Sequence, residues 1–445
     1  MPFTPETLLP PLLEIPDVRR LRVAFSGGLD SMVLLTALQR LRESGALLAA
    51  LDAIHIHHGL SPYADEWAQH CAQVCCELRV PLVQFNVVVD TESGKGIEAS
   101  ARNARYSALA RETEPGDCLL MAHHADDQAE TLLLQLLRGS GPHGLAAMPF
   151  LRPFGNGLLV RPLLDFRRDQ LFAWASQAGL CWVEDHSNRQ QDLDRNFLRL
   201  SVIPLLKQRW PSLATTLSRS ARLCGESAQL LEELAASDIA AASTPHPREL
   251  RWKVLADHSV VRRRNLLRAW IARCGFPVPN ARRLERMATD FWDAAPDRNP
   301  ALRWEGAEMH RYREMLYLMP TLPAVDPALR LSWDPELPLE LPGGGRLGAQ
   351  RRPGEGLSVS KLLSGPLIVR FRQGGEHCHP AGRRDSHSLK KLLQEHAVPP
   401  WLRDRIPLIY HGEELIAVAD RIISEGFAAS PDECGWVLKW RPAND

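Results

Sequence analysis

Over residues 21–137 the chain repeats one theme: a short apolar run, a turn carrying Gly, Ser or Asp, then a stretch of helical period. The apolar runs cover 21–25, 47–56, 82–89 and 118–122, and the helical stretches cover 30–42, 62–79, 98–111 and 126–138. Strands alternating with helices of this length predict an α/β fold with a doubly wound parallel sheet. Such a sheet takes its ligands at the carboxyl ends of its strands. A loop rich in Gly and Pro follows over 139–162, then helical stretches that include 167–178 and 195–208. Residues 212–319 read as mostly helical, with Ala and Leu at helical spacing. Pro320, Pro323, Pro327, Pro335, Pro338, Pro342 and the Gly343-Gly344-Gly345 triplet then exclude long helices and mark the edge of a small mixed α/β C-terminal domain.

The expected domains are therefore a catalytic α/β domain over 1–215, a helical domain over 216–320, and a linker with a C-terminal domain over 321–445, its core at about 366–445. With 45% apolar and 24% charged residues the chain is an ordinary globular sequence, which excludes disordered, collagen-like and coiled-coil classes. The 53 basic residues cancel the 53 acidic ones, so any anionic partner must be met by local patches. One lies over 247–287, where 11 Lys or Arg face 3 Asp or Glu; a solvated helical face is the alternative reading. The N-terminus lacks a basic segment followed by an apolar core, and the best apolar run, 32–51, is broken by Arg40, Arg42 and Glu43. Nine scattered cysteines fit reduced thiols, so a cytoplasmic protein with no membrane partner is expected.

The strongest chemical signal is Phe25-Ser26-Gly27-Gly28-Leu29-Asp30-Ser31, set between the first strand and the first long helix. Two glycines let the backbone approach an anion, Ser26 and Ser31 offer hydroxyl donors, and the new helix aims free N–H groups at the charge. Asp30 repels a phosphate unless a metal lies between them, which makes it a candidate Mg2+ ligand at an ATP site. The Walker and GxGxxG spacings are both absent, and a bare turn with a helix cap is the alternative. A run SGGxDS after the first strand resembles the PP-loop ATP pyrophosphatases. That resemblance implies an adenine-nucleotide α-hydrolase-like fold, cleavage of ATP between its α and β phosphates, and transfer of AMP to a carbonyl-type oxygen.

In the run His123-His124-Ala125-Asp126-Asp127-Gln128-Ala129-Glu130-Thr131, Asp127 and Glu130 share one helix face near its N-terminus and can hold a cation. Plain capping and a zinc site are the competing readings. His123, ahead of the helix, can donate to a phosphate oxygen or to a leaving group. Arg102 and Arg105, one turn apart, can grip an α-phosphate or stand as solvated arginines. Cys71, Cys75 and Cys76 read as buried thiols, His55 as core, and His58 as a candidate for the nucleotide pocket.

Four stretches, in order, resemble the tRNA(Ile)-lysidine synthetase family: 55–61 (HIHHGLS), 96–106 (GIEASARNARY), 123–131 with 138–141 (RGSG), and 194–199 (DRNFLR). The likeness is close over about 20–210 and looser in the basic and aromatic C-terminal stretch, which includes Arg370, Arg372, Arg383, Arg384, Lys390, Lys391 and Trp401. It implies ligation of free L-lysine to C2 of the wobble cytidine in the CAU anticodon of tRNA(Ile), through an adenylated cytidine, with ATP converted to AMP and pyrophosphate. This changes codon reading from AUG to AUA and aminoacylation from Met to Ile. By the same resemblance Asp127 and Glu130 hold the lysine ammonium, with Asp127 the candidate base, Arg195 lies by the cytidine, and the later domains contact the tRNA body. A homodimer is left open. A cytidine thiolase, a small-molecule amidating synthetase and an RNA-binding scaffold are the rivals; the lack of a CxxC pair counts against an iron-sulfur thiolase.

Overall fold

A computed structural model describes residues 2–57, 59, 61–88, 97–184, 194–295, 298–362 and 365–442, with 97–99 described as backbone only. His58 and Gly96 lie outside the described residues. The chain divides into two units, Met1–Leu230 and Leu231–Asp445.

The first unit is built on a six-stranded sheet: β1 (Arg20–Ala24), β2 (Ala50–His57), β3 (Leu82–Asn86), β4 (Asp117–Leu120), β5 (Leu151–Phe154) and β6 (Gly157–Val160). Its order is β3-β2-β1-β4-β6-β5, parallel except for the β5–β6 hairpin. The expected doubly wound sheet is present. Because the order reverses beside β1, a crevice opens at the carboxyl ends of β1 and β4, and both functional loops leave from there. The helix Leu29–Glu43 is buried on nearly every side, with Val33, Leu34, Leu35 and Leu38 shielded from solvent, which anchors the loop before it. Inside the sheet Arg22 meets Asp52 on the neighbouring strand through two bonds of 2.9 and 2.7 Å, so the charges interrupting β1 are internally paired.

The hairpin within 139–162 departs from the expected loop. Its strands are four residues each, and one contains Pro153, which hides the period-two signal. A Cβ at Gly155 (φ +55°) would stand 2.3 Å from the Ala110 carbonyl oxygen, so glycine lets this turn press against the helix Ile97–Arg111. The stretch expected to be helical over 195–208 is broken into a helix Asp194–Phe197, a π-helical turn Leu198–Val202 and a helix Ile203–Arg209. Pro204 has no N–H to give and would crowd the carbonyl four residues back; the wider turn, in which the Ile203 N–H reaches Leu198 O, accommodates it.

In the second unit the helices Val260–Arg273 and Ala281–Asp293 pack with a four-stranded antiparallel sheet. Its strands are β7 (Glu249–Arg251), β8 (Ala301–Trp304), β9 (Ala307–Tyr312) and β10 (Met315–Pro320). Residues 212–319 are therefore not helical throughout. β9 is buried along its whole length although it carries Glu308, His310 and Arg311, so polar residues obscure the strand in the sequence. The C-terminal part holds five- and four-stranded antiparallel sheets with the helices Leu389–Glu395 and Pro400–Arg403, the mixed composition expected there. No described helix is long and apolar enough to cross a membrane.

Candidate active site

The turn after β1 is held by its own hydroxyls. Ser31 Oγ donates to Gly28 O at 3.0 Å and lies 3.2 Å from Ser26 Oγ, while the Ser26 N–H reaches Ser31 Oγ at 3.3 Å. Gly27 sits at φ +76°, and a Cβ there would stand 3.0 Å from Cys71 Sγ. Gly28 caps the helix Leu29–Glu43 with no side-chain bond to the first turn, which leaves Leu29, Asp30 and Ser31 at an open, positive helix end. Asp30 Oδ1 is buried without a hydrogen-bond partner. An orphaned carboxylate oxygen beside an anion-accepting turn fits a divalent cation shared with a polyphosphate.

Across the crevice the helix Ala125–Leu137 begins just past β4. The Asp127 carboxylate caps it by accepting from the His124 N–H at 3.1 Å. His124 Nε2 stands 3.4 Å from Asp127 Oδ2 and 3.6 Å from Asp30 Oδ2, which ties this helix to the phosphate turn. Burial works against a charge on His124, but Asp127 and Asp30 outweigh it and raise its pKa to about 9. Burial also opposes ionisation of Asp127; the cations His124, Arg195 and Arg199 prevail and hold its carboxyl well below the usual carboxylate range. Asp126 faces elsewhere: it accepts from Lys207 at 2.5 Å and from the Arg168 N–H at 2.9 Å, and so joins three helices.

Asp127 and Glu130 do converge on a cation, and the cations are the chain's own. Arg195 Nη2 reaches Asp127 Oδ1 at 3.0 Å and its Nε reaches Glu130 Oε2 at 2.7 Å. Arg199 donates to Glu130 Oε1 at 2.6 Å, to Glu130 Oε2 at 2.9 Å and to Asp127 Oδ1 at 3.2 Å. The Glu130 side chain is only 2% exposed, against 26% for Arg195 and 35% for Arg199. Sequence reasoning assigned no role to Arg199 or His124. The signal was there: Arg195 and Arg199 stand at i and i+4, one face of a helix, the spacing that lets two guanidinium groups meet two carboxylates at i and i+3.

His123 is half-buried, and its buried Nδ1 has no partner among the described residues. Burial, reinforced by the positive Arg161, Arg195 and Arg102, lowers its pKa to about 3, so the ring is neutral. Arg102 and Arg105 flank the Tyr106 ring at 5.0 and 6.0 Å, and Arg102 donates to the Tyr106 hydroxyl. Arg105 is half-buried, with its Nε unpartnered among the described residues and its charge opposed first by burial and then by Arg102 and Arg195. Arginines with unspent donors around a neutral imidazole make a place for an anion.

Elsewhere the sequence reading needs amendment. Cys71 and Cys75 are buried, and burial pushes both thiols up to about 12, but Cys76 is exposed because its helix turns that face to solvent. His55 is core, its Nδ1 2.8 Å from Phe25 O. Within 247–287, Arg262 pairs with Asp238, Arg264 with Glu285, and Arg263 bonds the Ala288 carbonyl; Arg273, Arg282 and Arg283 remain exposed. Farther on, Arg370 pairs with Glu413, Arg372 with Asp404 and Arg383 with Glu395. The Trp401 ring lies tilted 4.3 Å from that of His310 and edge-on 5.0 Å from that of Tyr317, while Arg384, Lys390 and Lys391 stay exposed.

Comparison with known proteins adds three family matches: a PP-loop domain over residues 6–206, a TilS substrate binding domain over 250–317 and a TilS substrate C-terminal domain over 367–440. The chain is 43% identical over 441 residues to the tRNA(Ile)-lysidine synthase of Coxiella burnetii, covering 99% of this chain and 97% of the relative. It is 44% identical over 423 residues to the enzyme of the same name from Methylococcus capsulatus, covering 95% and 96%. Among solved structures, the U34-tRNA thiolase NcsA from Methanococcus maripaludis is similar over 50% of this chain and 78% of that chain, at 16% identity and a TM-score of 0.42.

Proposed function

Since this chain belongs to the tRNA(Ile)-lysidine synthase family, an ATP-dependent ligase family, we propose that it joins free L-lysine to C2 of the wobble cytidine in the CAU anticodon of tRNA(Ile). The observation that carries this reading is the meeting of two sites at one sheet crevice, the turn Ser26 to Ser31 and the cluster of Asp127, Glu130, Arg195 and Arg199, tied by His124 to Asp30.

ATP lies with its phosphates on the turn, taking the N–H groups of Leu29, Asp30 and Ser31 at the open helix end. Asp30 would hold Mg2+, which when bound offsets the charge of the departing pyrophosphate. Cytidine O2 attacks the α-phosphorus, pyrophosphate leaves, and AMP is carried on O2. O2 is a weak nucleophile and the phosphate repels it, so the work falls to fixed charge: Arg102 and Arg105 neutralise the α-phosphoryl oxygens, and neutral His123 donates a hydrogen bond. In the second step the lysine ε-amine, seated by Asp127 and Glu130, attacks C2 and AMP departs with the former O2. The ammonium must first lose a proton, and ionised Asp127 is the acceptor, a weak one while two guanidinium groups hold it. The exposed Arg273, Arg282, Arg283, Arg384, Lys390 and Lys391 supply the later modules with cations for tRNA phosphates.

Incubation with labelled lysine, ATP and unmodified tRNA tests the proposal. Label enters RNA with release of AMP and pyrophosphate in equal amounts; release of ADP and phosphate, or RNA that stays unlabelled, would overturn it.

A further inference from the structure

The carboxylate pair that should receive an ammonium has no oxygen to spare. Asp127 Oδ1 accepts from both arginines, and Oδ2 accepts from the His124 N–H. Glu130 Oε1 is taken by Arg199, and Oε2 by Arg195 and Arg199. An ammonium brings three donors and needs acceptors for them in a buried place. The formal charges of Asp127, Glu130, Arg195 and Arg199 already cancel. Lysine added to that set would leave an unbalanced positive charge beside a carboxylate that is 2% exposed, so one guanidinium has to leave.

Arg199 is the one positioned to do so. Its side chain is the more exposed of the two, and among the described residues it is the sole partner of Glu130 Oε1. It also belongs to the π-helical turn Leu198–Val202, a kind of wide turn that recurs at functional sites, whereas Arg195 sits on the α-helical turn before it. A guanidinium that gives up two carboxylates needs another anion of matching shape, and phosphate oxygens match its fork.

We propose that Arg199 is an exchangeable stand-in for the lysine ammonium: it occupies Glu130 in the ligand-free enzyme, turns to a phosphate when one arrives, and thereby opens the lysine seat. The inference rests on the reading that Asp127 and Glu130 seat lysine. Arg199 acts through Glu130 and is a positioning residue. Its exchange makes lysine the later substrate to bind, so the amine is admitted once a phosphate-bearing partner is in place. That phosphate comes from ATP or from the RNA backbone, and the test distinguishes them.

Equilibrium dialysis of labelled L-lysine at fixed ionic strength would be run on the full chain alone, with α,β-methylene ATP, with unmodified tRNA, and with both. In the unaltered enzyme lysine affinity rises about tenfold or more in the arm that supplies the phosphate, within the usual range for coupled sites. Arg199→Gln binds lysine more tightly than the unaltered chain in the absence of ligand, and its coupling falls to about twofold or less by the same measure. Arg199→Lys keeps the charge without the fork and gives intermediate coupling. A merely structural Arg199 predicts the opposite, weaker lysine binding in Arg199→Gln in every arm. That result, or full coupling retained in Arg199→Gln, overturns the inference. Glu130→Gln separates the two levels: if it binds lysine as the unaltered chain does, the seat itself is wrong. If it loses lysine while Arg199→Gln keeps full coupling, the exchange alone is wrong.

Discussion

Glu130→Gln is the sharpest test of the active-site chemistry because it removes one charge and almost no volume. Asp127 is a less clean target, since its carboxylate also caps the helix through the His124 N–H. The Glu130 carboxylate receives three bonds of 2.6 to 2.9 Å from Arg195 and Arg199 while 2% exposed. Removing one partner of a fully buried ion pair costs about 3–5 kcal/mol. Here the two arginines are 26% and 35% exposed and water can take up part of their charge, which reduces the figure to about 1–2 kcal/mol. At roughly 2–4 °C per kcal/mol for a unit of this size, melting of the first unit should fall by about 2–8 °C, leaving it folded at assay temperature. The effect on lysine is larger, since each charged hydrogen bond contributes about 1.5–3 kcal/mol, or roughly 10- to 150-fold in the KM for lysine. Pyrophosphate release driven by tRNA and ATP before lysine is added should change by less than about threefold, as the bonds of the Glu130 carboxylate among the described residues go to Arg195 and Arg199 and none to the phosphate turn. Thermal melting, a pyrophosphate assay and incorporation of labelled lysine measure the three quantities separately. An unchanged lysine KM in a folded variant would refute the cation-seat argument.

Gly27→Ala places a Cβ 3.0 Å from Cys71 Sγ at φ +76°, a strain of about 1–2 kcal/mol from the left-handed backbone alone, so ATP affinity should drop with little effect on lysine binding; ATP-induced thermal stabilisation reports it. Asp238 accepts from Arg262 at 2.9 and 2.6 Å, and that bonding holds its carboxyl below the ordinary value. Its stabilisation is present above the unfolded value of about 3.9 and is lost as pH falls through the lower folded value. Asp238→Asn should therefore melt earlier than the parent at pH 7 and converge with it in acid, and parallel curves down to about pH 2 would contradict the assignment. Trp401→Ala removes the ring packed against His310 and Tyr317; at about half the 3–5 kcal/mol of a fully buried aromatic, the second unit should melt several degrees lower while ATP binding by the chain is unaltered.

The parallel sheet was legible because each strand is an apolar run followed by a helix of matching length, a local signal. The hairpin Leu151–Phe154 with Gly157–Val160 was not, since short strands containing Pro153 and closing on Gly155 read as a loop. The strand Ala307–Tyr312 was hidden for another reason: burial on both faces removes the alternation, and Glu308, His310 and Arg311 make a core strand look polar. The basic patch shows the converse limit. Composition counts Arg262 and Arg264 with Arg282 and Arg283, but Asp238 and Glu285 absorb the first two, and only tertiary structure sorts internal partners from free cations.

The same limit governs the chemistry. The phosphate turn is legible because its parts are contiguous: Ser26, Gly28 and Ser31 bond one another within six residues of chain. Asp127 and Glu130 are also local, three residues apart, and read as an open cation seat. What fills that seat lies 65 to 69 residues along the chain from Glu130, on a segment whose π-helical turn no propensity signals. Local pattern thus states what a pair of carboxylates is able to bind, while the fold decides what already binds them. If lysine takes this seat as proposed, its affinity is a difference between two cations competing for the same oxygens. A guanidinium held by three charged bonds is displaced only if another anion takes it, so under the proposed seat the order in which substrates arrive would follow from the charge balance of the site.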